Sequence, residues 1–233
     1  MLSSKDWGGG AEDELFTEAL SQLKRRGASV LVVGSVRADQ RRNVRQRLLG
    51  QATDQPRQRI FVSTTGESHD LEVSGPVRRI TYAAQARSAA AQSPDSHEAE
   101  PSAPSTDESP IEATTLADLG IAISSAIETF ETESNGLAPA ELRVGINSLV
   151  PLLEEYGAER VFKFVHLTNG RTRETDGMIH YHLPMDRNSD VVSVLEPLFD
   201  IRIDLREQNG EFQEQWRIHD GGHRSGWITI DQS

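Results

Sequence analysis

Short apolar runs alternate with longer helical patterns along most of this chain. Each run has five or six residues, is rich in β-branched side chains and is bounded by Gly or polar residues, which predicts buried strands. The predicted strands are Ser29 to Val33, Arg59 to Ser63, Arg78 to Tyr82, Leu142 to Ile146 and Met178 to Leu183. Because helical patterns separate most of them, the chain is predicted to form an α/β fold with a mainly parallel sheet.

The helical patterns place apolar residues three and four positions apart. They cover Ala11 to Arg26, Ala38 to Leu49, Leu116 to Glu133, Val150 to Tyr156, Glu159 to about Thr168, and Val191 to Phe199. The end of the chain differs, because Ile201 to Glu207 and Glu211 to Ile218 read as alternating strands around Asn209-Gly210, which predicts a hairpin. With a last strand over Gly226 to Ile230, the sheet should be antiparallel at its C-terminal edge.

Two segments fall outside these patterns. Residues 1–10 are polar and Gly-rich, and are predicted to be flexible. Residues 88–114 carry six acidic side chains, no basic one and four prolines, a composition typical of a disordered acidic insert. The α/β pattern continues on both sides of the insert, so residues 11–230 are predicted to form a single domain.

Composition indicates the kind of organism and the cellular compartment to expect for this protein. The 233 residues carry a formal net charge of −12, and three of the 24 basic residues are lysines. An acidic chain that prefers Arg over Lys suits a salt-rich cytoplasm, so we expect a halophilic archaeal protein, with an ordinary acidic protein as the alternative. The absence of cysteine excludes disulfides and thiolate metal ligands. No apolar run reaches the roughly 18 residues of a membrane span, and no signal peptide is evident, so a cytoplasmic location is expected.

Several segments, taken in order, resemble the RecA/KaiC-like ATPase superfamily. They include SVLVVG with its following helix, RIFVS, RRITY, LRVGINSL, MIHYHL and the run VVSVLEPLFDIRIDLR. The resemblance covers roughly residues 27–230 without the acidic insert and is closest to a compact archaeal branch. It implies a three-layer sandwich, in which a mainly parallel central sheet lies between helices and carries an antiparallel C-terminal hairpin at its edge.

The nucleotide motifs of that superfamily are degenerate here. Active members use Gly-x-x-x-x-Gly-Lys-Ser/Thr to bind phosphates and Mg²⁺. With the first Gly aligned to Gly34, the second Gly, the Lys and the hydroxyl residue are replaced by Asp39, Gln40 and Arg41. The acidic residue of the second motif is replaced by Asn147. The resemblance thus implies no catalytic residue, and a degenerate nucleotide site made by Gly34, Ser35, Arg37, Arg41 and Asn147.

The function expected from these substitutions is non-catalytic. The first hypothesis is a RecA/KaiC-like domain without cofactor that regulates or signals through a protein partner, or through a second copy of the chain. The second is a residual ATP-binding protein or weak ATPase, in which Arg37 and Arg41 replace the Lys. The third is a DNA-associated transcription regulator, for which only residues 1–87, with 14 basic and 10 acidic side chains, offer a basic surface. Nucleic acid and membrane partners are not expected.

Three further groups of residues have a functional and a plainer interpretation. Arg37, Arg41 and Arg45 share a helix face that could bind phosphate or nucleic acid, although a solvated face is favoured. His180 and His182 point the same way on a strand and could bind zinc with His166, His219 or His223, although an exposed strand face is favoured. Arg171 and Arg173 are placed in a loop after a helix, where a protein contact is favoured.

Overall fold

One sheet with helices on both sides forms the described part of the protein. The computed structural model describes residues 11–50, 57–65, 75–83 and 110–230, with side chains from residue 14 onward. The helices within these ranges are α1 (Ala11–Arg26), α2 (Ala38–Leu48), α3 (Leu116–Glu133), α4 (Val150–Arg173) and α5 (Asp190–Leu195). The strands are β1 (Ala28–Val33), β2 (Gln58–Ser63), β3 (Val77–Tyr82), β4 (Ile111–Ala113), β5 (Leu142–Ile146), β6 (Met178–Leu183), β7 (Ile201–Gln208), β8 (Glu211–Ile218) and β9 (Ile228–Thr229).

The strand order across the sheet is β4-β3-β2-β5-β6-β1-β7-β8-β9. All neighbours from β4 to β7 are parallel, whereas β8 and β9 are antiparallel. Asn209 and Gly210 both have positive φ angles, of 54° and 79°, as the predicted two-residue hairpin turn requires. The prediction of an α/β protein with a mainly parallel sheet and an antiparallel C-terminal edge is therefore confirmed.

The two faces of the sheet bury separate apolar clusters. On one face, which we call the α3–α4 face, residues such as Leu31, Val144 and Ile179 pack under α3, α4 and α5. On the other, the α1–α2 face, residues such as Val30 and Ile203 pack under α1 and α2. Alternation along each strand places neighbouring residues on opposite faces, so β6 is buried on both sides.

Local hydrogen bonds explain where several elements begin. Thr115 caps α3, because its hydroxyl accepts from the amide of Asp118 at 3.1 Å while the Asp118 carboxylate accepts from the amide of Thr115 at 3.1 Å. The Asp200 carboxylate accepts from both the amide and the hydroxyl of Ser29 at 2.8 Å, and from Arg173 at 2.8 Å. Asp200 thus fixes the start of β1 against β7 and the end of α4.

Some predicted boundaries are wrong. The helix predicted over Val191 to Phe199 ends at Leu195 and gives way to a 3₁₀ turn, Glu196–Leu198. Pro197 explains the change, because it has no amide proton to continue the α-helix. The two helical stretches on either side of Gly157 are confirmed, since Gly157 has non-helical angles of 73° and 167°.

The predicted insert and the predicted Arg loop also need correction. Ile111–Ala113, which the disordered insert was predicted to include, form β4 and pair with β3. The remainder of the insert up to residue 109, like residues 1–10, lies outside the described residues. Arg171 and Arg173 do not lie in a loop but in the last turn of α4, where cations interact favourably with the helix dipole.

The solvated arginine face predicted for Arg37, Arg41 and Arg45 is confirmed for Arg37, which is exposed, and wrong for Arg45. Arg45 is buried, with its guanidinium carbon 5.3 Å from the centre of the Phe61 ring. Arg47 makes two hydrogen bonds, of 3.2 and 2.5 Å, to the carboxylate of Glu214, which is fully buried on β8. The helix is therefore joined to the sheet by buried charge, as well as by apolar contacts.

The Arg47–Glu214 pair should contribute much more stability than the exposed pair that Arg37 forms just before the same helix. Arg47→Ala leaves the Glu214 carboxylate buried with one partner fewer, so we expect a loss of about 3–5 kcal/mol in the free energy of unfolding. Arg37 pairs with Glu207 at 3.4 Å, and both side chains are exposed, so Arg37→Ala should cost about 0–1 kcal/mol. Urea unfolding of both variants measures the difference, and equal losses would contradict the assignment. Adding Glu214→Gln to Arg47→Ala should restore part of the loss.

Candidate functional site

The candidate site lies at the carboxyl edge of the parallel strands, around the end of β1. The strand order changes direction at β1. The strands β2 to β6 all lie on one side of β1 in the sheet, and β7 to β9 lie on the other side. Ligands of open α/β sheets bind at the carboxyl ends of the strands at such a reversal. Gly34 follows β1 and Asn147 follows β5, so the predicted residues do lie at this edge.

A four-residue connection, Gly34 to Arg37, joins β1 to α2. The helix begins at Ala38, so the positions aligned with the motif's second Gly, Lys and hydroxyl residue already lie in its first turn or just after it. The exposed carboxylate of Asp39 lies in that turn, where the helix dipole would otherwise attract a phosphate. The connection is therefore short, and its helix terminus already carries a negative charge.

Gly34 has a packing role that accounts for its identity. Its φ angle is +136°, and a Cβ atom at this position would lie 2.4 Å from the carbonyl oxygen of Leu205 on β7. Its amide donates to the carbonyl of Leu183 at 3.4 Å. Ser35 is exposed, and its hydroxyl donates to the carbonyl of Pro184 at 3.4 Å. These contacts hold the loop against the strands on both sides of β1.

The two arginines of the predicted site already have partners. Arg37 forms the exposed ion pair with Glu207, and its amide donates to the side chain of Gln40 at 3.2 Å. The guanidinium of Arg41 donates to the carbonyl of Val36. Arg41 therefore closes the loop that precedes its own helix, and neither cation extends from the loop without a partner.

Asn147 is buried, and both ends of its carboxamide make hydrogen bonds. Its Oδ1 atom accepts from the amide of Thr64 at 2.8 Å and from the Thr64 hydroxyl at 2.9 Å. Its Nδ2 atom donates to the hydroxyl of Thr65 at 2.9 Å. The Thr64 hydroxyl lies 2.6 Å from the carbonyl oxygen of Ser148 as well, so its single proton is shared between the two acceptors. We call Asn147, Thr64 and Thr65 the strand-end clasp, because they tie the end of β2 to the end of β5.

The structure brings the predicted residues to one edge without making them a single cluster. The strand β6 lies between β5 and β1, so Asn147 and Gly34 are separated by two strand spacings, or roughly 10 Å. Arg37 and Arg41 lie on the β1 side, and the strand-end clasp lies on the β5 side. The sequence did not indicate Thr64 and Thr65, which bind Asn147 from 83 and 82 residues away.

His180 and His182 lie beneath α2 and are buried, in contrast to the exposed face predicted for them. Their rings are 5.5 Å apart, edge to face. Among the described residues, the Nε2 atoms of both rings are buried and accept or donate no hydrogen bond. A signal in the sequence could have indicated this burial, since a central parallel strand is covered on both faces.

The surroundings keep both histidines neutral. Burial, with the charges of Arg45 and Arg41, lowers the pKa of His182 to about 3. Burial also lowers the pKa of His180 well below its usual range, and His182, Arg45 and Arg143 add to the effect. The charged groups that face the pair are therefore cations, which disfavours a bound metal ion at this place.

The described residues contain neither a cluster of metal ligands nor a helix suited to crossing a membrane. In ranges 11–50, 57–65, 75–83 and 110–230, no group of three or more His, Cys, Asp or Glu side chains is arranged to bind a metal ion. Within the same ranges, none of the helices has both the length and the apolar character that crossing a bilayer requires.

These features define a class of protein: an α/β domain whose strand-end site is closed by its own side chains. The chain belongs to a family of unknown function, designated DUF7504, whose model matches residues 27–205. The matched range starts just before β1 and ends within β7, so α1, β8 and β9 lie outside it. A comparison with curated proteins finds no match.

The buried histidines should make the protein less stable in mild acid. An unfolded His titrates near pH 6.5, whereas folded His182 titrates near 3, so between these values only the unfolded chain binds the proton. Stability should therefore fall as the pH falls below 6.5, and His182 alone should account for about 1.4 kcal/mol between pH 7.5 and 5.5.

His182→Leu tests this contribution by urea unfolding at the two pH values. We expect the variant to lose about 1.4 kcal/mol less than the parent protein over that interval. His166→Asn is the matched control, because His166 is exposed on α4. An unchanged pH dependence in His182→Leu would show that the ring is not held neutral in the folded state.

Proposed function

We propose that this chain is a non-catalytic RecA/KaiC-like domain that acts through contacts with a protein partner. The strand order supports the RecA/KaiC-like interpretation, because it places the Gly-containing turn after β1 at the reversal of the sheet. The observation that carries the proposal is the strand-end clasp. Asn147 is the residue that the resemblance aligns with the acid of the second nucleotide motif, and its carboxamide is hydrogen-bonded to Thr64 and Thr65.

The clasp is unsuited to the chemistry of an ATPase. The second motif of active members provides a carboxylate that holds Mg²⁺. A carboxamide oxygen can bind Mg²⁺ weakly, but the Asn147 Oδ1 atom already accepts two hydrogen bonds, and releasing it would leave the buried Thr64 amide without a partner. The site thus favours a structural use of the strand ends over nucleotide hydrolysis.

The contacts at β1 support the same proposal. A phosphate would need backbone amides and a cation directed at it, whereas here Asp39 faces the helix terminus. Arg41 is committed to Val36 and Arg37 to Glu207. In the alternative of a residual ATP-binding site, the bound phosphate would have to displace these contacts, and their loss would weaken the binding.

The DNA-binding alternative gains little from the geometry. Arg45 and Arg59 are buried, and Arg59 donates to the carbonyls of Leu49 and Gly50 at 2.9 and 3.0 Å. Arg47 is paired with buried Glu214. These arginines of residues 1–87 make contacts within the protein, so they are not available at the surface to bind the phosphates of a DNA duplex.

Nucleotide binding is the direct test. We expect isothermal titration of the full chain with ATP and Mg²⁺ to give no saturable heat, at low and at high salt, and no phosphate release. The salt series matters because the acidic, Arg-rich composition suggests a salt-rich setting. Tight binding with turnover would reject the proposal. Binding that disappears in Arg37→Ala and Arg41→Ala would instead support the residual ATP-binding alternative.

Asn147→Ala tests whether the clasp is structural. The change removes three hydrogen bonds and leaves the buried Thr64 amide without its acceptor, so we expect a loss of about 1–3 kcal/mol in the free energy of unfolding. Asn188→Ala is a control, because Asn188 lies in an exposed turn. If Asn147→Ala unfolds at the same urea concentration as the parent, the clasp does not stabilise the fold.

A further inference from the structure

A shallow pocket of about 220 Å³ opens at the amino edge of the parallel strands, opposite the edge that carries Gly34. Its lining comes from the 3₁₀ turn after α5, the end of β8 and the loop that follows β8. The lining residues are Glu196, Arg217, Ile218, His219, Gly222, His223 and Arg224. It is separate from the site discussed above, because Ile218 at the end of β8 pairs with Ile201 at the start of β7.

Two arginines of the pocket face each other across a backbone bridge. Arg217 and Arg224 are directly opposite in an antiparallel pairing, an arrangement in which like charges repel. Arg217 is balanced from below by the fully buried carboxylate of Asp204, at 3.1 Å. Within the described part of the chain, the guanidinium of Arg224 makes no hydrogen bond or ion pair, and it is exposed. An anion between the two arginines would remove their repulsion.

The carboxylate in the pocket is already neutralised. Arg202 lies 2.7 Å from Glu196 Oε2, and His219 Nε2 lies 3.5 Å from Glu196 Oε1. Arg202 also binds Asp204 at 2.7 Å, so it forms ion pairs with both Glu196 and Asp204. Among the lining residues, two arginines against one glutamate leave one net positive charge, although the whole chain carries −12. The pocket is thus an electropositive spot on an acidic protein.

The loop that closes the pocket is a tight turn held by its own hydrogen bonds. The amide of His219 donates to the carbonyl of Asp200 at 3.0 Å, and the amide of Gly222 donates to the carbonyl of His219 at 3.3 Å. Gly221 is left-handed, with φ +80° and ψ −4°. A Cβ atom at Gly221 would lie 2.5 Å from His223 Nε2, so glycine allows the His223 ring to fold over the turn.

We propose that this pocket binds the oxyanion group of a small ligand, a phosphate or a carboxylate, through Arg224 and Arg217. The pocket has room for a phosphate or a short carboxylate group. The pocket follows the family-matched range, apart from Glu196, and its function does not depend on the proposal made for the strand-end site.

The test is a titration of the ¹⁵N-labelled full chain with inorganic phosphate and, separately, with acetate, at constant ionic strength in sodium chloride. We expect saturable shifts of the Gly222, His223 and Arg224 amide signals with at least one of the two anions. A response to phosphate alone assigns the site to phosphate groups, and a response to acetate alone assigns it to carboxylates. The absence of a saturable shift with both anions would overturn the proposal.

Arg224→Glu should weaken the binding by about tenfold or more, because it removes a charge-assisted contact and adds a repulsive charge. Arg25→Glu is the matched control, since it makes the same charge change on an exposed arginine that is not part of the pocket lining. Arg224→Gln removes the charge without adding one, and thermal unfolding confirms that each variant is folded. If Arg25→Glu weakens binding as much as Arg224→Glu, general charge explains the effect and the site is rejected.

Discussion

The carboxyl ends of parallel strands leave polar groups that must find partners, and the strand-end clasp is how this protein meets that constraint. Between β2 and β5, the Asn147 carboxamide supplies an acceptor for Thr64 and a donor for Thr65. A buried amide or hydroxyl without a partner costs more than a typical hydrogen bond returns, so the clasp can be opened only at a considerable cost.

The helix α2 shows the same inward use of polar groups. A run of arginines on a short helix is typical of a phosphate or nucleic-acid surface, yet three of them are directed at the protein itself. Arg41 binds the loop before the helix, Arg45 stacks over Phe61, and Arg47 reaches buried Glu214. These arginines therefore stabilise the loop before the helix and hold the last turn of the helix on the sheet.

The sequence predicted local structure well because local structure depends on neighbouring residues. The run Leu142 to Ile146 and the turn Asn209-Gly210 specify a strand and a hairpin within a few positions. Partners distant in sequence could not be predicted in the same way. Arg47 and Glu214 are 167 residues apart, and no periodicity links them. The strand order has the same limitation, because parallel neighbours such as β2 and β5 are joined through two other strands and a helix.

The β7–β8 hairpin runs between the carboxyl ends and the amino ends of the parallel strands. Glu214 and Gln215 are consecutive on β8 and point to opposite faces, and Gln215 is paired with Asp204 of β7. On the α1–α2 face, Glu214 holds Arg47 and thereby α2, whose amino end follows the Gly34 loop. On the α3–α4 face, Asp204 holds Arg217 of the pocket. The hairpin therefore carries two buried acids, one on each face of the sheet, and each forms an ion pair with an arginine.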